Sequence, residues 1–143
     1  MLFFGYYTKA NSGGLSENEI LLQQEWENQQ VELVKIEADI KRAEKLNGTW
    51  QGQCVMAVRK FLNIGRESGV AGMAKNTPIN SNQPEAGAIV KLDQSKYGHL
   101  AVVLKVADNQ IYIYESNYNW TERARTKWID KDDPKIMGYL ILN

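Results

Sequence analysis

The chain has 143 residues, with Lys plus Arg 17 against Asp plus Glu 17, a length that suits one domain with a buried core and a balance that excludes a general basic nucleic-acid binder. Hydrophobic residues make up 43% and charged residues 24%, ordinary for a globular chain, and no window reaches the roughly 18 apolar residues of a membrane helix. One cysteine and one histidine exclude an internal disulfide and are too few for a closed zinc site.

Residues 1–14 read as an arm: Met1 to Tyr7 is apolar and aromatic, and Gly/Ser/Asn follow. The apolar run is brief and no basic residue precedes it, so no secretory signal is read there. The chain then has no signal, or is a mature form or a fragment, and its localisation is open. Residues 15–48 read as one long amphipathic helix. Ser16 and Glu19 form a capping box at its start, and Asn47-Gly48 stops it. Leu22, Trp26, Gln29, Leu33, Ile36, Ile40 and Ala43 recur at spacings of four and three, a heptad seam along a rod of about 45 Å. The stripe either packs on the domain that follows or forms a coiled coil over residues 16–47, in a homodimer or in a longer parent protein.

A second helix is expected from Cys54 to about Asn63, with Val55, Val58, Phe61 and Leu62 on its apolar face. Asn76 to Gly87 carries two prolines and turn formers and reads as a loop. Strands are expected over 88–92, 99–106 and 111–117, with two more at 128–129 and 136–142. Helices followed by a run of strands make the class α+β, a small antiparallel sheet against a helix, with residues 49–143 as the working domain.

Three places in that domain carry chemistry. Cys54 sits where Gln51-Gly52-Gln53 turns into a helix, and a helix N-terminus lowers a thiol pKa. A lone cysteine is equally a small buried hydrophobe. His99 opens a strand behind Gly98, whose lack of a side chain admits a close neighbour. Glu115 and Asn117 follow on the next strand, where a carboxylate or amide could accept the second ring N–H of His99. The pleat constrains this. A two-residue turn at Asp108-Asn109 would pair Ala107 with Gln110 and place His99 on the face opposite Glu115, so a site built from both needs an odd loop or a bulge.

In order, Gly52-Gln53-Cys54, Pro84 to Val90, Gly98 to Val103 and Glu115-Ser116-Asn117 resemble the CHAP family, the cysteine, histidine-dependent amidohydrolase/peptidase domains of the papain-like group. The resemblance covers about residues 50–142. It implies a papain-like fold and cleavage of amide bonds in the stem peptides of peptidoglycan at the bacterial cell wall. It implies Cys54 as nucleophile, His99 as general base, Glu115 as its orienter and Asn117 as assistant at the same edge. Gln53, or the Cys54 amide, would serve the oxyanion hole, with Gln51 an equally near donor. Trp50, Tyr97, Tyr118 and Trp120 flank these motifs and are candidate substrate-binding residues, or ordinary core aromatics. No cofactor or metal is implied, and the absence of acidic residues from Asn47 to Gln53 leaves no calcium loop. Two other readings fit the residues: a papain-like amidase or peptidase with a substrate outside the wall, and a non-catalytic binding or assembly protein that works through its first helix.

Overall fold

A computed structural model describes residues 14–143, so the expected arm lies, but for Gly14, outside the described residues. The chain divides into two compact units that meet at Glu37/Ala38. Helix α1 (Glu17–Lys45) starts at the capping box, where the Glu19 N–H donates to Ser16 Oγ at 3.2 Å. Before Glu37 it is largely exposed: of the heptad positions, Leu22 is 53% and Leu33 52% accessible. No helix among the described residues is long and apolar enough to cross a membrane.

The second unit, Ala38–Asn143, takes in the last turns of α1, so it begins about ten residues earlier than the sequence boundary at 48/49. The reason is packing. Ala43 is fully buried, Ile40 packs on the same core, and the Arg42 guanidinium lies 3.6 Å above the Phe61 ring. Helix α2 (Cys54–Leu62) follows a short extended turn. Its buried Val55, Ala57, Val58 and Phe61 form one face, and burying Val58 or Phe61 contributes roughly 1.5–3 kcal/mol each. It stops where Asn63 turns left-handed (φ 53°) and Ile64 N–H closes on Arg59 O at 3.0 Å, the usual helix-ending motif.

Five antiparallel strands follow: β1 (Ile89–Leu92), β2 (His99–Val106), β3 (Gln110–Ser116), β4 (Ala124–Asp130) and β5 (Ile136–Leu140), in the spatial order β4-β3-β2-β1-β5. The α+β class with a long N-terminal helix is as the sequence predicts. Leu100, Val102, Leu104 and Tyr114 face α2, and Phe61 stacks on Tyr114 with centroids 4.5 Å apart. Val90, Ala101, Val103, Ile111, Ile113 and Tyr139 build a second core on the other face.

The β2–β3 register resolves the pleat problem. Ala107 N–H donates to Gln110 O at 2.8 Å, and Val106 pairs with Ile111. This is the two-residue turn that Asp108-Asn109 favours, and it carries the wrong parity. Between Val103 and Lys105 the register shifts, leaving Leu104 as a bulge, and beyond it Val103 pairs with Ile113 and Val102 with Tyr114. One inserted residue reverses which side chains share a face. His99 and Glu115 thereby come to one side.

Gly98 positions the start of β2. Its φ is +73°, and a Cβ there would sit 2.8 Å from the Lys75 backbone nitrogen, which donates to Tyr97 O at 2.9 Å. Neither the backbone nor the left-handed angle can yield cheaply. Gly98→Ala is expected to cost about 2–4 kcal/mol in urea unfolding. A loss under about 0.5 kcal/mol, the size of a neutral surface change, would show that the approach is not tight.

Candidate active site

Cys54 is the first residue of α2, so the free N–H groups of the first helical turn surround it. The turn ahead of it is pinned by three hydrogen bonds to two residues. Gln51 and Gly52 N–H both donate to Glu122 O, at 2.9 and 3.0 Å, and buried Ser116 Oγ donates to Gly52 O at 2.7 Å. Gly52 holds φ +80°, which lets the chain reverse directly into the helix. The nucleophile turn is thus tied to the end of β3, the strand that carries Glu115.

His99 is 4% accessible and Glu115 1%. His99 Nε2 donates to Glu115 Oε1 at 2.9 Å, which leaves Nδ1 as the ring nitrogen able to serve Cys54. Burial alone would push the thiol pKa up. The His99 hydrogen bond and charge, with the Leu100 and Val55 N–H groups, outweigh it and hold the thiol below its usual value. Burial would likewise lower His99, but its bonds to Cys54 and Glu115 and their charges lift it to about 9. Burial pushes Glu115 up, while His99, Arg125 and Lys127 bring it down to about 2. The three groups favour a thiolate–imidazolium pair backed by a carboxylate.

The far side of Glu115 belongs to β4. Arg125 Nε donates to Glu115 Oε2 at 2.6 Å, and Lys127 Nζ lies 3.6 Å from the same oxygen. Sequence reasoning missed both. Only Trp128-Ile129 reads as strand, because Ala124 to Lys127 shows no apolar alternation. In the sheet, β4 runs back to Ala124, and Arg125 pairs directly with Glu115.

The other candidates are spread around this centre. Asn117 was expected to continue β3 and share a face with Glu115. It leaves the strand at φ 64°, and its Oδ1 accepts the Glu122 N–H at 2.9 Å, so its amide braces the loop while Glu115 and Cys54 engage the His99 ring. Gln53 precedes the helix, makes no side-chain cap, and lines a cleft of about 590 Å³ over Cys54 and His99. Gln51 is buried and donates to Thr49 Oγ1 at 3.0 Å. Tyr97 and Trp120 wall the cleft edge to face, with centroids 6.1 Å apart. Trp120 is 66% accessible and sits at φ 63°. Trp50 lies away from the cleft lining and donates its indole N–H to Glu122 at 3.3 Å, while the ring of Tyr118 carries the Arg125 guanidinium 3.6 Å from its centroid.

Comparison with known proteins bears on the fold and the family. Two solved structures share the fold: the crystal structure of Ly7917 (17% identity, TM-score 0.57) and that of Ly7917 with the hydrolyzing product of MDP (18% identity, TM-score 0.58). In each case 75% of this chain is covered, and the chain spans only 62% of the length of the other. No curated protein sequence matches it. The CHAP domain matches residues 43–117, more than half of the chain, from the last turn of α1 through Cys54 and His99 to the end of β3, and the chain belongs to the CHAP domain family.

Proposed function

We propose that this domain hydrolyses amide bonds in the peptide part of peptidoglycan through Cys54. The observation that carries the reading is a helix-start thiol and a histidine lining one cleft of ligand size, with the histidine bonded to a buried carboxylate. The Cys54 thiolate attacks the substrate carbonyl. The Cys54 N–H, at the helix start, and the Gln53 side chain, which lines the cleft, would receive the developing oxyanion. Imidazolium His99 gives its proton to the leaving amine. Neutral His99 then takes a proton from the water that hydrolyses the thioester, while Glu115 holds the ring and its tautomer. Tyr97 and Trp120, packed edge to face as one pair at the cleft, would offer an aromatic surface to the substrate. A large indole that is packed edge to face on Tyr97, yet left 66% accessible at a left-handed angle costing about 1–2 kcal/mol, is what a residue kept for a ligand would look like. Family membership supports this substrate class, as does Ly7917, a structural relative whose crystals are described with the hydrolyzing product of MDP.

The test is digestion of purified peptidoglycan with parent and Cys54→Ala protein, followed by mass analysis of released fragments and assay of new free amines. Fragments from the parent alone, with a new amine for each cut, are expected, and their masses identify the bond. Equal release by both proteins would sink the role of Cys54. No release from several wall types would move the activity to another amide substrate.

A further inference from the structure

Glu115 is a buried anion that must do two things: stay ionised, and keep one particular oxygen against His99. The groups facing it are His99 from β2, with Cys54 beyond it on α2, and Arg125 and Lys127 from β4. Of the two cations, only Arg125 is in hydrogen-bond contact. Its Nε takes Oε2 at 2.6 Å while His99 takes Oε1 at 2.9 Å, so the carboxylate is held at both ends. Arg125 is itself 37% accessible, and an arginine at that exposure usually samples several rotamers. Here the flat guanidinium lies on the Tyr118 ring, 3.6 Å from its centroid, where a planar cation can stack face to face while an ammonium reaches the ring only as a point charge. Tyr118 immediately follows Asn117, whose side chain and backbone close the loop to Glu122 and Arg123. The order of support therefore runs from the loop to Tyr118, Arg125, Glu115, His99 and Cys54.

We propose that Arg125 is a positioning residue: stacked on Tyr118, it clamps Glu115 so that the carboxylate stays anionic and aimed at His99. The inference rests on the hydrolase reading for its rate effects, but not for its effect on the thiol. Without Arg125, Glu115 is free to rotate from His99 and takes up a proton at a higher pH. Both changes weaken the imidazolium that stabilises the Cys54 thiolate.

The experiment uses the full chain and reads two things. The first is the pH dependence of Cys54 alkylation by iodoacetamide, followed by intact mass, which needs no substrate. The second is kcat and KM on soluble peptidoglycan fragments that the parent cleaves. In Arg125→Gln the acid limb of alkylation is expected to move up by about 0.5–1 in pH. The value of kcat is expected to fall about 10–100-fold, with KM within about twofold. Arg125→Lys is expected to restore the limb through its charge but only part of kcat, for want of the planar contact. If Arg125→Gln does not fold, Tyr118→Leu removes the platform and leaves the charge, and is expected to lower kcat in the same direction. A folded Arg125→Gln whose alkylation limb is unchanged would overturn the proposal. So would a Tyr118→Leu variant, used in its place, with parental kcat and limb. A parent thiol of ordinary reactivity would overturn it together with the hydrolase reading, whereas a reactive parent thiol with no fragment release would sink only the wall substrate.

Discussion

His99→Ala is expected to silence the thiol while leaving it in place. Cys54 is partly buried, and burial disfavours its ionisation. What reverses this is chiefly the hydrogen bond and charge of His99, with smaller help from two backbone N–H groups. Removing the ring deletes the larger share and keeps the burial. Alkylation by iodoacetamide at neutral pH is therefore expected to slow by about 100-fold, and amide cleavage to fall about 10³–10⁴-fold. The parent itself should show a plateau of reactivity with two edges. The lower edge is the ionisation of Cys54, which lies below the ordinary thiol value. The upper edge, seen in amide cleavage and not in alkylation, comes as the imidazolium, held at about 9, gives up its proton and with it the acid for the leaving amine. A stability effect accompanies this. The folded value of His99 is raised above the ordinary 6.5, so its contribution to stability is complete below that value and is lost as pH rises through about 9. His99→Ala should lack that alkaline loss. Alkylation rates from pH 4 to 10 beside thermal unfolding over the same range decide it. A variant that alkylates at the parental rate would mean that His99 does not govern the thiol.

How much of this was legible in the residue order depends on which physical signal each residue carries. Cys54, His99 and Glu115 stand at the ends of regular elements. Those elements declare themselves through apolar periodicity, so the three could be placed from the sequence. Whether they meet turned on parity, which a sequence does not print. Asp108-Asn109 signals a two-residue turn correctly, and the compensating bulge at Leu104 has no residue signature, because leucine is an ordinary core residue on either side of it. Asn117 offered a cue that was read the other way. Asn is the residue besides glycine that most readily adopts a left-handed angle, and here it does so and ends the strand. Arg125 and Lys127 were hidden for another reason. An edge strand that alternates charged and polar residues looks like a solvated loop, and only the register against Glu115 shows that two of its cations face a buried anion.

Glu115→Gln is expected to be nearly as damaging as loss of the base, although it changes one atom. Arg125 Nε presses its N–H on the carboxylate at 2.6 Å, with Lys127 behind it, so that position demands an acceptor. A glutamine can satisfy it only by turning its carbonyl oxygen to Arg125 and its NH₂ to His99. The NH₂ is a donor, so His99 Nε2 must become an acceptor, and the ring proton moves to Nδ1, the nitrogen that faces Cys54. A ring in that tautomer cannot take the thiol proton. The value of kcat is expected to fall about 10²–10⁴-fold with KM little changed. The alternative orientation keeps the tautomer but sets NH₂ against two cations, which costs stability instead. At neutral pH the substitution is expected to destabilise by about 2–4 kcal/mol, since it leaves Arg125 and Lys127 without their anion. The acid side separates this from a general packing defect. Glu115 is depressed from its ordinary 4.5 to about 2. Its contribution to stability is thus present above about 4.5 and drains away as pH falls through about 2. Parent protein should lose stability across that window, and Glu115→Gln, with nothing to protonate there, should lose less. Thermal unfolding from pH 6 to 2 beside steady-state kinetics measures both. Parallel acid profiles, or a kcat within about fivefold of the parent, would mean that Glu115 holds the ring only by its shape and that its charge takes no part.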